Sequence, residues 1–460
     1  MKFFHEDDRP QLFYRNPLPV SNIGDPYIFR SGGTYYLFAT SAPDGFYCWA
    51  SEDLIHWGKK RRAYLREAGS WGTKDFWAPE VIENRGRYFL FFSARNRNGS
   101  LRIGAAVSDR PDGPYRDIRD APLFDAGYAS IDAHVFQDED GRNYLFFSRD
   151  CSENRIGGTP VSEIYGVRLA EDLSSIEGTP VRLLTPEQPW EKKSKAPLWN
   201  EGPAVLRHGG RYYLTYSANC FADRNYSIGY ATARRPLGPY TKSEGNPILT
   251  SGGFRGISGP GHHSFVRSPD GSELFIAYHT HTFPNDGGGN RQLNLDRVVF
   301  SKDGELFADG PTLSPQPAPF SDGFRNLAPG AALRCGASDV PLLNDGIFTS
   351  HPKDGKWDWV QDADDTGKVE VVAAFRQPRR IAGFSIYRGA HDGLDFQSLD
   401  VALDGRHRIP GLRCPDSAEQ RALTALFTPV FASRIHFSFL PGEGRSQIAI
   451  SEIMIFGTPS

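Results

Sequence analysis

The chain has 460 residues, more than one ordinary hydrophobic core holds, which indicates two or three domains. Its formal net charge of −3 argues against nucleic acid or an acidic membrane surface as the main partner. Aromatic residues make up 13% of the chain, and glycine and proline are frequent, which favours an all-β protein of short strands.

The N-terminal segment MKFFHEDDRPQLFYRNPLPV lacks the apolar core of a secretion signal. No stretch approaches the roughly 20 apolar residues that span a bilayer. We therefore expect a cytoplasmic protein with no membrane partner, or a secreted or periplasmic one if a signal peptide has been removed. The five cysteines form no CxxC pair, so neither a zinc site nor a disulfide framework is predicted.

One pattern recurs five times: a turn with glycine, then an alternating aromatic strand that ends in a small or hydroxyl residue. The copies are GGTYYLFATS (32–41), GRYFLFFSA (86–94), GRNYLFFSR (141–149), GGRYYLTYSA (209–218) and GSELFIAYHT (271–280). Each copy has a further strand upstream and at least one downstream. Such repeats of short antiparallel strands are typical of propeller blades. The sequence predicts a five-bladed β-propeller, with a sandwich of chance repeats as the alternative.

Four upstream strands carry an ionisable residue eight or nine positions before the turn glycine: Asp25, Asp132, Glu201 and His262. We expect equivalent positions in different blades to converge on the propeller axis, so that these side chains share one cavity. Carboxylates gathered in a cleft repel one another, and their pKa values are driven apart. Glycoside hydrolysis needs this division, because one acid must be protonated and another ionised. For each residue alone, a turn, cap or structural role is more common.

The motifs around these residues resemble glycoside hydrolase family 43, the five-bladed propeller arabinofuranosidases, xylosidases and arabinanases. The resemblance covers about residues 15–318 and rests on GDPYIFRSGGTYYLFATS, FWAPEV, SIDAHVFQDEDGRNYLFF, WNEGPAV, GPGHHSFV, YHTH and NRQLNLDRVVF. It implies an inverting hydrolase of plant or microbial oligosaccharides or polysaccharides that requires no cofactor. Asp25 is implied as the general base and Glu201 as the general acid. Asp132 is implied as a third carboxylate that orients the acid and raises its pKa.

The resemblance also implies residues that contact the sugar. Arg291 corresponds to an arginine that reaches a substrate hydroxyl, and Trp77 corresponds to a wall of the subsite. His262 corresponds to an axial histidine, which in some relatives lies near a bound calcium or a water cluster, so a metal held through water is considered at His262. Trp199 and Phe221 are candidates for stacking on a sugar face, with core packing as the alternative.

The third blade departs from the family pattern, which usually has proline after the aspartate. This chain has Ala133 and then His134. We expect His134 to line the pocket and to alter substrate preference. Glu80, in FWAPEV, is expected to have a structural packing role.

Beyond the repeats, residues 319–325 are predicted to link the propeller (1–318) to a second domain (326–460). The short alternating strands of the second domain predict a β-sandwich. NLAPGA, LLNDG, WDWVQ, RIAGFSIYRG, LDVALDG and ISEIMIFG resemble a discoidin-type (coagulation factor 5/8 type C) jelly roll. Such modules often bind carbohydrate, and some bind calcium near a loop like Asn344-Asp345-Gly346. A sandwich that only supports the propeller is an equal alternative.

The leading interpretation is an exo-acting α-L-arabinofuranosidase or β-D-xylosidase, with a galactofuranosidase as a variant. A non-catalytic carbohydrate-binding protein and a phosphate-dependent glycoside phosphorylase remain alternatives. A metal-dependent hydrolase that uses the histidines of GHH (261–263) and HTH (279–281) is disfavoured. Strand alternation turns one of the two adjacent histidines of GHH away from the site. Calcium, at the propeller axis or in the second domain, is the cofactor considered.

Overall fold

The computed structural model describes residues 3–4, 13–251, 256–282, 288–313, 315–320, 325–347, 358–389, 393–414 and 422–458. These residues are mostly β-strand, with short 3-10 turns at Pro189–Lys192, Ala328–Gly330 and Pro341–Leu343. The chain forms two compact units. The propeller unit comprises residues 17–266 and 275–295, and the C-terminal unit comprises residues 1–16, 267–274 and 296–460. The domain boundaries proposed from sequence stay a prediction, and residues 321–324 of the predicted linker lie outside the described residues.

Two short strands, β1 (Phe3–Phe4) and β2 (Phe13–Tyr14), precede the blades. The first blade has the order β3 (Gly24–Ser31), β4 (Thr34–Ala42), β5 (Gly45–Ser51) and β6 (Arg61–Leu65). The second blade has the order β7 (Gly72–Asn84), β8 (Arg87–Asn96), β9 (Leu101–Ser108) and β10 (Arg116–Asp117). Neighbouring strands in both blades are antiparallel.

The third blade contains β11 (Ser130–Gln137), β12 (Asn143–Arg149), β13 (Arg155–Ile156), β14 (Thr159–Leu169) and β15 (Ile176–Leu184). The fourth has the order β16 (Leu198–His208), β17 (Arg211–Ala218), β18 (Ser227–Ala233) and β19 (Thr241–Lys242), and a short parallel pairing joins β14 to β16. The fifth has the order β20 (Gly261–Arg267), β21 (Leu274–His281), β22 (Arg291–Phe300) and β23 (Leu306–Asp309). The prediction of five blades is confirmed.

The aromatic strands of the repeats fill the layers between neighbouring blades. Phe46 of the first blade lies 5.7 Å from Phe92 of the second, measured between ring centroids, and both side chains are fully buried. Phe91 and Phe146 belong to the next two layers. Because successive side chains of a strand point to opposite faces, one aromatic strand supplies both layers beside it.

The ring of blades closes through pairing between the start of the chain and the fifth blade. The Leu18 N–H donates to the Leu293 carbonyl at 2.8 Å, and the Ile23 N–H donates to the Arg291 carbonyl at 3.2 Å. Ser21 forms an isolated antiparallel bridge with Gln292. This closure places Arg291 beside the first residues of β3.

The C-terminal unit is also built from strands, and the expected β-rich second region is present. Its strands are β24 (Gln316–Pro317), β25 (Arg325–Asn326), β26 (Ala332–Cys335), β27 (Ser338–Asp339), β28 (Trp359–Asp362), β29 (Val369–Arg388), β30 (Phe396–Leu403), β31 (His407–Arg413), β32 (Ala422–Pro441) and β33 (Gln447–Thr458). The main path of its largest sheet is β25-β33-β29-β32-β30-β31. Alternate residues of β29 and β32 pack into one apolar core, as two-residue periodicity requires.

Candidate active site

The first strand of each blade carries a residue with positive φ. The φ angles are 54° at Asp25, 46° at Ala78, 58° at Asp132, 55° at Gly202 and 44° at His262. In the first four blades this residue lies in a β-bulge. A left-handed backbone at a residue other than glycine costs free energy, and such strain clusters at functional sites.

Backbone N–H groups of these residues donate to the preceding blade around the ring. Ala78 donates to Thr40 Oγ1 at 2.9 Å, Asp132 to Ser93 Oγ at 2.9 Å, and His262 to Ser217 Oγ at 2.8 Å. These acceptors are hydroxyl residues in the last part of the aromatic strands of the repeats. The repeated hydroxyl in the sequence therefore anchors the bulge of the next blade.

The fourth blade breaks this pattern at the proposed catalytic centre. The Gly202 N–H donates at 3.1 Å to Oδ2 of Asp132, instead of to the corresponding hydroxyl of Ser148. Ser148 Oγ is buried and has no hydrogen-bond partner among the described residues. Asp132 thus holds the backbone directly beside Glu201.

Glu201 does not occupy the position equivalent to Asp132, so the common register predicted from the turn glycines is wrong at this residue. Glu201 pairs with Ser217 just before the bulge, and Gly202 has the positive φ. The turn between β16 and β17 is shorter than the turn between β11 and β12. Counting back nine residues from the turn glycine therefore reaches Asp132 in the third blade but Glu201 in the fourth, one residue before Gly202, which is the true equivalent of Asp132.

The carboxylate of Asp25 is surrounded by nitrogen and hydroxyl groups. Arg291 Nη1 donates to Oδ1 at 3.0 Å, His262 Nδ1 lies 3.3 Å from Oδ1, and Thr40 Oγ1 donates to Oδ2 at 2.5 Å. His279 Nδ1 accepts the Asp25 N–H at 3.2 Å. Burial alone would raise the pKa of Asp25, but the Arg291 guanidinium, the histidines and Thr40 hold it well below its usual range.

The Asp132 and Glu201 side chains are each only 7% exposed. Burial, opposed by His262 and reinforced by the charge of Asp25, raises the pKa of Asp132 to about 6. Burial and then repulsion from Asp132 raise the pKa of Glu201 well above its ordinary value. Tyr226 Oη donates to Glu201 Oε1 at 2.9 Å, which opposes that rise. The protein therefore contains one carboxyl that favours the ionised form and one that favours the protonated form.

One cavity of about 280 Å³ joins these groups. It brings together the three predicted carboxylates and five of the predicted substrate-binding residues: Trp77, Trp199, Phe221, His262 and Arg291. The Phe221 ring is 43% exposed, and the Arg291 guanidinium lies 5.1 Å from its centroid. The cavity is also lined by residues that the sequence analysis missed: Arg95, Leu101, Ile131, Asp150 and Tyr226.

His134 is the predicted site residue that does not line this cavity. Its Nδ1 lies 2.8 Å from Glu80 Oε2, and its Nε2 accepts the Val205 N–H at 3.0 Å. With Nε2 as acceptor, the neutral ring carries its proton on Nδ1 and donates to Glu80. Both ring nitrogens are therefore used to connect the second, third and fourth blades, and Glu80 has the structural contact expected of it.

The missed residues left only weak signals in the sequence. Asp150 follows Ser148 by two positions at the end of the third aromatic strand, so strand alternation could have placed it on the axial side. Tyr226 begins a downstream strand region in NYSIG, which resembles an ordinary aromatic core position. Its contact with Glu201 joins residues that are 25 positions apart.

The described part of the chain contains no group of three or more His, Cys, Asp or Glu side chains arranged to hold a metal ion. In the Asn-Asp-Gly loop, Asn344 Nδ2 donates to the carbonyls of Ala328 and Ala331, and Asp345 Oδ1 accepts the Ile347 N–H. Calcium, which the sequence analysis considered at His262 and in this loop, is therefore not supported by the described residues. Among the described residues, no helix is long and apolar enough to cross a membrane.

Residues 14–306 match Glycosyl hydrolases family 43. The chain is 31% identical over 316 residues to the β-D-galactofuranosidase xynD of Aspergillus niger, which covers 65% of this chain and 85% of that protein. It is 27% identical over 316 residues to an extracellular exo-α-(1→5)-L-arabinofuranosidase of Streptomyces avermitilis, covering 64% of this chain and 63% of that protein.

A crystal structure of a thermostable family-43 glycoside hydrolase is 50% identical to this chain. The match covers 67% of this chain and 99% of that chain, with a TM-score of 0.65.

Proposed function

This chain belongs to glycosyl hydrolases family 43 and is a glycoside hydrolase, and on that premise we propose that it is an inverting, exo-acting enzyme. In this proposal it removes terminal furanose or pentose units from an oligosaccharide or polysaccharide. The observation that carries the proposal is the opposite displacement of two pKa values in one cavity, downward at Asp25 and upward at Glu201. A glycosidase needs one ionised carboxylate and one protonated acid at the bond it cleaves, and the family resemblance adds inversion to this proposal.

Asp25 is the proposed general base. Oδ1 is held by Arg291 and His262, and Oδ2 by Thr40, so the carboxylate has a defined orientation and stays ionised. It takes a proton from a water molecule as the water oxygen bonds to the anomeric carbon. Arg291 then serves twice, by keeping the base ionised and by presenting its remaining N–H groups to a sugar hydroxyl.

Glu201 is the proposed general acid. Its raised pKa favours the protonated form, and it gives that proton to the glycosidic oxygen as the bond to the anomeric carbon breaks. Asp132 contributes in two ways: its charge raises the pKa of Glu201, and its Oδ2 fixes the Gly202 N–H. After one turnover Asp25 is protonated and Glu201 is ionised, and exchange with solvent restores both.

The proposed sugars are an α-L-arabinofuranoside, a β-D-xyloside or a β-D-galactofuranoside. The two curated relatives described above are named for galactofuranoside and arabinofuranoside hydrolysis, which favours a furanoside. Trp77, Phe221 and Trp199 supply aromatic faces at the cavity for the apolar side of a sugar ring. The small volume of the cavity suits a single terminal residue and supports exo attack.

For the C-terminal unit we propose a discoidin-like carbohydrate-binding role. The motif resemblance and the β-sandwich core support it, as does Phe431, which is 70% exposed on β32. The test is retention of the full chain on insoluble polysaccharide, with Glu201→Ala as the background to prevent digestion. Phe431→Ala should weaken retention, whereas equal retention of both proteins would contradict a binding surface at Phe431.

The catalytic proposal is tested with nitrophenyl α-L-arabinofuranoside, β-D-xyloside and β-D-galactofuranoside. Glu201→Ala and Asp25→Asn should each lower kcat on a natural glycan by roughly 10²–10⁴-fold. Glu201→Ala should lose least on an aryl glycoside whose leaving group needs no proton. The exposed Glu83→Ala is the matched control. Wild-type rates in both variants would overturn the assignment, and NMR detection of a product with retained anomeric configuration would overturn inversion.

A further inference from the structure

A lysine and a glutamate form a buried ion pair next to the strand that carries Glu201. Lys242 Nζ lies 2.5 Å from Glu191 Oε1, and the two side chains are 3% and 0% exposed. Glu191 belongs to the 3-10 turn Pro189–Lys192, in the connection between the third and fourth blades, and Lys242 belongs to β19. Lys242 Nζ also donates to the Thr185 carbonyl at 2.6 Å. The proposed mechanism assigns no role to this buried pair.

Both members of the buried pair bond to Asn200, the residue before Glu201. The Asn200 side chain is fully buried. Its Oδ1 accepts from Lys242 Nζ at 3.1 Å, and its Nδ2 donates to Glu191 Oε1 at 3.0 Å. Nδ2 also donates to the Trp199 carbonyl at 3.0 Å. Both polar atoms of the amide are therefore hydrogen-bonded, which fixes the rotamer of Asn200 and the backbone around it.

The Glu191 carboxylate is itself held at both oxygens. Oε2 accepts the N–H groups of Glu187 and Gln188 at 2.7 and 2.6 Å, and Oε1 accepts from Lys242 and Asn200. Such a pair is rigid, but it contributes little net stability compared with apolar residues of similar volume, because both charges lose their hydration. Stability alone is therefore a weak reason for its presence.

The backbone at Glu201 needs support that the sheet does not give. β16 pairs with β17 at Glu201 and resumes pairing only at Ala204, because the bulge lies between them. On one side of Glu201, Asp132 Oδ2 accepts the Gly202 N–H at 3.1 Å. On the other side, the buried pair holds Asn200. The acid is thus fixed by a side-chain contact before it and another after it.

We propose that Asn200, locked by the buried pair, is a positioning residue for the general acid, and this inference rests on the proposed function. Successive side chains of a strand point to opposite faces, so Asn200 is bonded on one face while Glu201 lines the cavity on the other. A rotation of the peptide between them would displace the Glu201 carboxyl from the glycosidic oxygen. The effect falls on protonation of the leaving group, which is the step that Glu201 serves.

The test compares a phenyl glycoside with a dinitrophenyl glycoside of the same terminal sugar. Phenol leaves slowly unless it is protonated, whereas dinitrophenolate needs no proton. Asn200→Ala should lower the ratio of kcat/KM for the phenyl glycoside to kcat/KM for the dinitrophenyl glycoside by about 10-fold, as expected for a displaced catalytic group. Because both rates come from one preparation, the ratio does not depend on the fraction of protein that is folded.

Asn246→Ala is the matched control. Asn246 is also a buried asparagine of the propeller unit, and its side chain bonds the backbone N–H and the carbonyl of Tyr230, both at 2.9 Å. This variant should lower stability and leave the ratio unchanged. If Asn200→Ala yields no folded protein, which thermal unfolding would reveal, Asn200→Ser replaces it, since one hydroxyl cannot bond both members of the buried pair as the amide does.

Glu201→Ala, measured in the same way, separates the two possible failures. A selective loss on the phenyl glycoside in Glu201→Ala, with an unchanged ratio in Asn200→Ala or its replacement, would overturn the positioning role. An equal fall of the ratio in Asn246→Ala would overturn it as well, because general loosening of the blade would then account for the effect. Equal losses of Glu201→Ala on both glycosides would instead overturn Glu201 as the acid, and with it the proposed function.

Discussion

Tyr226 contacts Glu201 directly and also contacts His279, a neighbour of Asp25. Its hydroxyl donates to Glu201 Oε1 at 2.9 Å, and its ring lies parallel to that of His279, with 5.7 Å between centroids. His279 Nδ1 accepts the Asp25 N–H, and burial followed by the charge of Arg291 lowers the pKa of His279, which stays neutral. With Oε1 occupied by a donor, the proton of Glu201 is directed to Oε2. Tyr226 is therefore a positioning residue.

Tyr226→Phe should move the alkaline limb of the pH profile of kcat/KM to higher pH. The lost hydrogen bond favours the ionised form of Glu201, so its removal raises the pKa of Glu201 further. The maximal rate should fall by about 10-fold as the orientation of the acid is lost. Tyr115→Phe is the control, because Tyr115 is also buried and donates to a backbone carbonyl. An alkaline limb that moves to lower pH would contradict this role.

The two proposed catalytic carboxyls should affect stability in opposite directions. The pKa of Glu201 is raised in the folded state, so its ionisation costs stability as pH rises above 4.5, its unperturbed value. Glu201→Gln should therefore stabilise the protein increasingly above that pH.

The pKa of Asp25 is lowered, so the stability it contributes is present above pH 3.8 and is lost as pH falls. Asp25→Asn should destabilise at neutral pH and become neutral in strong acid.

Urea unfolding at several pH values measures both effects. Asp109→Asn, at an exposed carboxylate, controls for the loss of an acidic side chain. Two variants that change stability in the same direction at pH 7 would contradict the opposite pKa displacements.

At the scale of single elements, the bulges of the first strands determine which side chains reach the axis. A bulge reorients the residues before and after it. In β16 the carboxylate that lines the cavity belongs to Glu201, the residue before the bulge, whereas in β11 it belongs to Asp132, within the bulge. A Cβ atom at Gly202 would lie 3.2 Å from the His262 ring, so this close approach and the positive φ of 55° both favour glycine there. Trp77 and Ile131, which also precede bulges, likewise line the cavity.

His134 on β11 connects the second, third and fourth blades. Because both of its ring nitrogens make bonds between blades, His134→Ala should destabilise the protein by about 1–3 kcal/mol through unpaired buried groups. The relative rates on the three nitrophenyl glycosides should stay unchanged. A changed order of these rates would restore the interpretation of His134 as a determinant of substrate preference. Exposed His56→Ala is the control.

At the scale of the whole molecule, each compact unit has its own core and its own buried charge pairs. In the C-terminal unit, Arg297 Nε donates to Glu273 Oε1 at 2.6 Å, and the Phe320 N–H donates to Glu273 Oε2 at 2.8 Å. Arg297 also donates to the Pro317 carbonyl at 3.0 Å. The segment from Gln316 to Phe320 is buried in this unit, at the place where a linker was predicted to begin.

Glu273→Ala should lower the free energy of unfolding by about 3–5 kcal/mol, because it leaves the buried Arg297 guanidinium without its carboxylate. The measurement is the urea midpoint, followed by intrinsic fluorescence. Glu83→Ala, at an exposed glutamate of the propeller unit, should change the free energy of unfolding by less than about 0.5 kcal/mol. Equal midpoints for the two variants would show that the buried pair does not stabilise the fold.

The sequence by itself determined the number of blades and the family, and it singled out three carboxylates that line one cavity, because repeats and short motifs are local patterns. The tertiary structure decided what depends on distant segments. It set the register of Glu201 and the contact of Tyr226 with Glu201. It also placed Asp150 in the wall of the cavity and His134 outside the cavity. A change of one residue in a turn shifts a strand without altering its motif. Contacts between blades depend on that shift, and the periodicity of the sequence does not predict them.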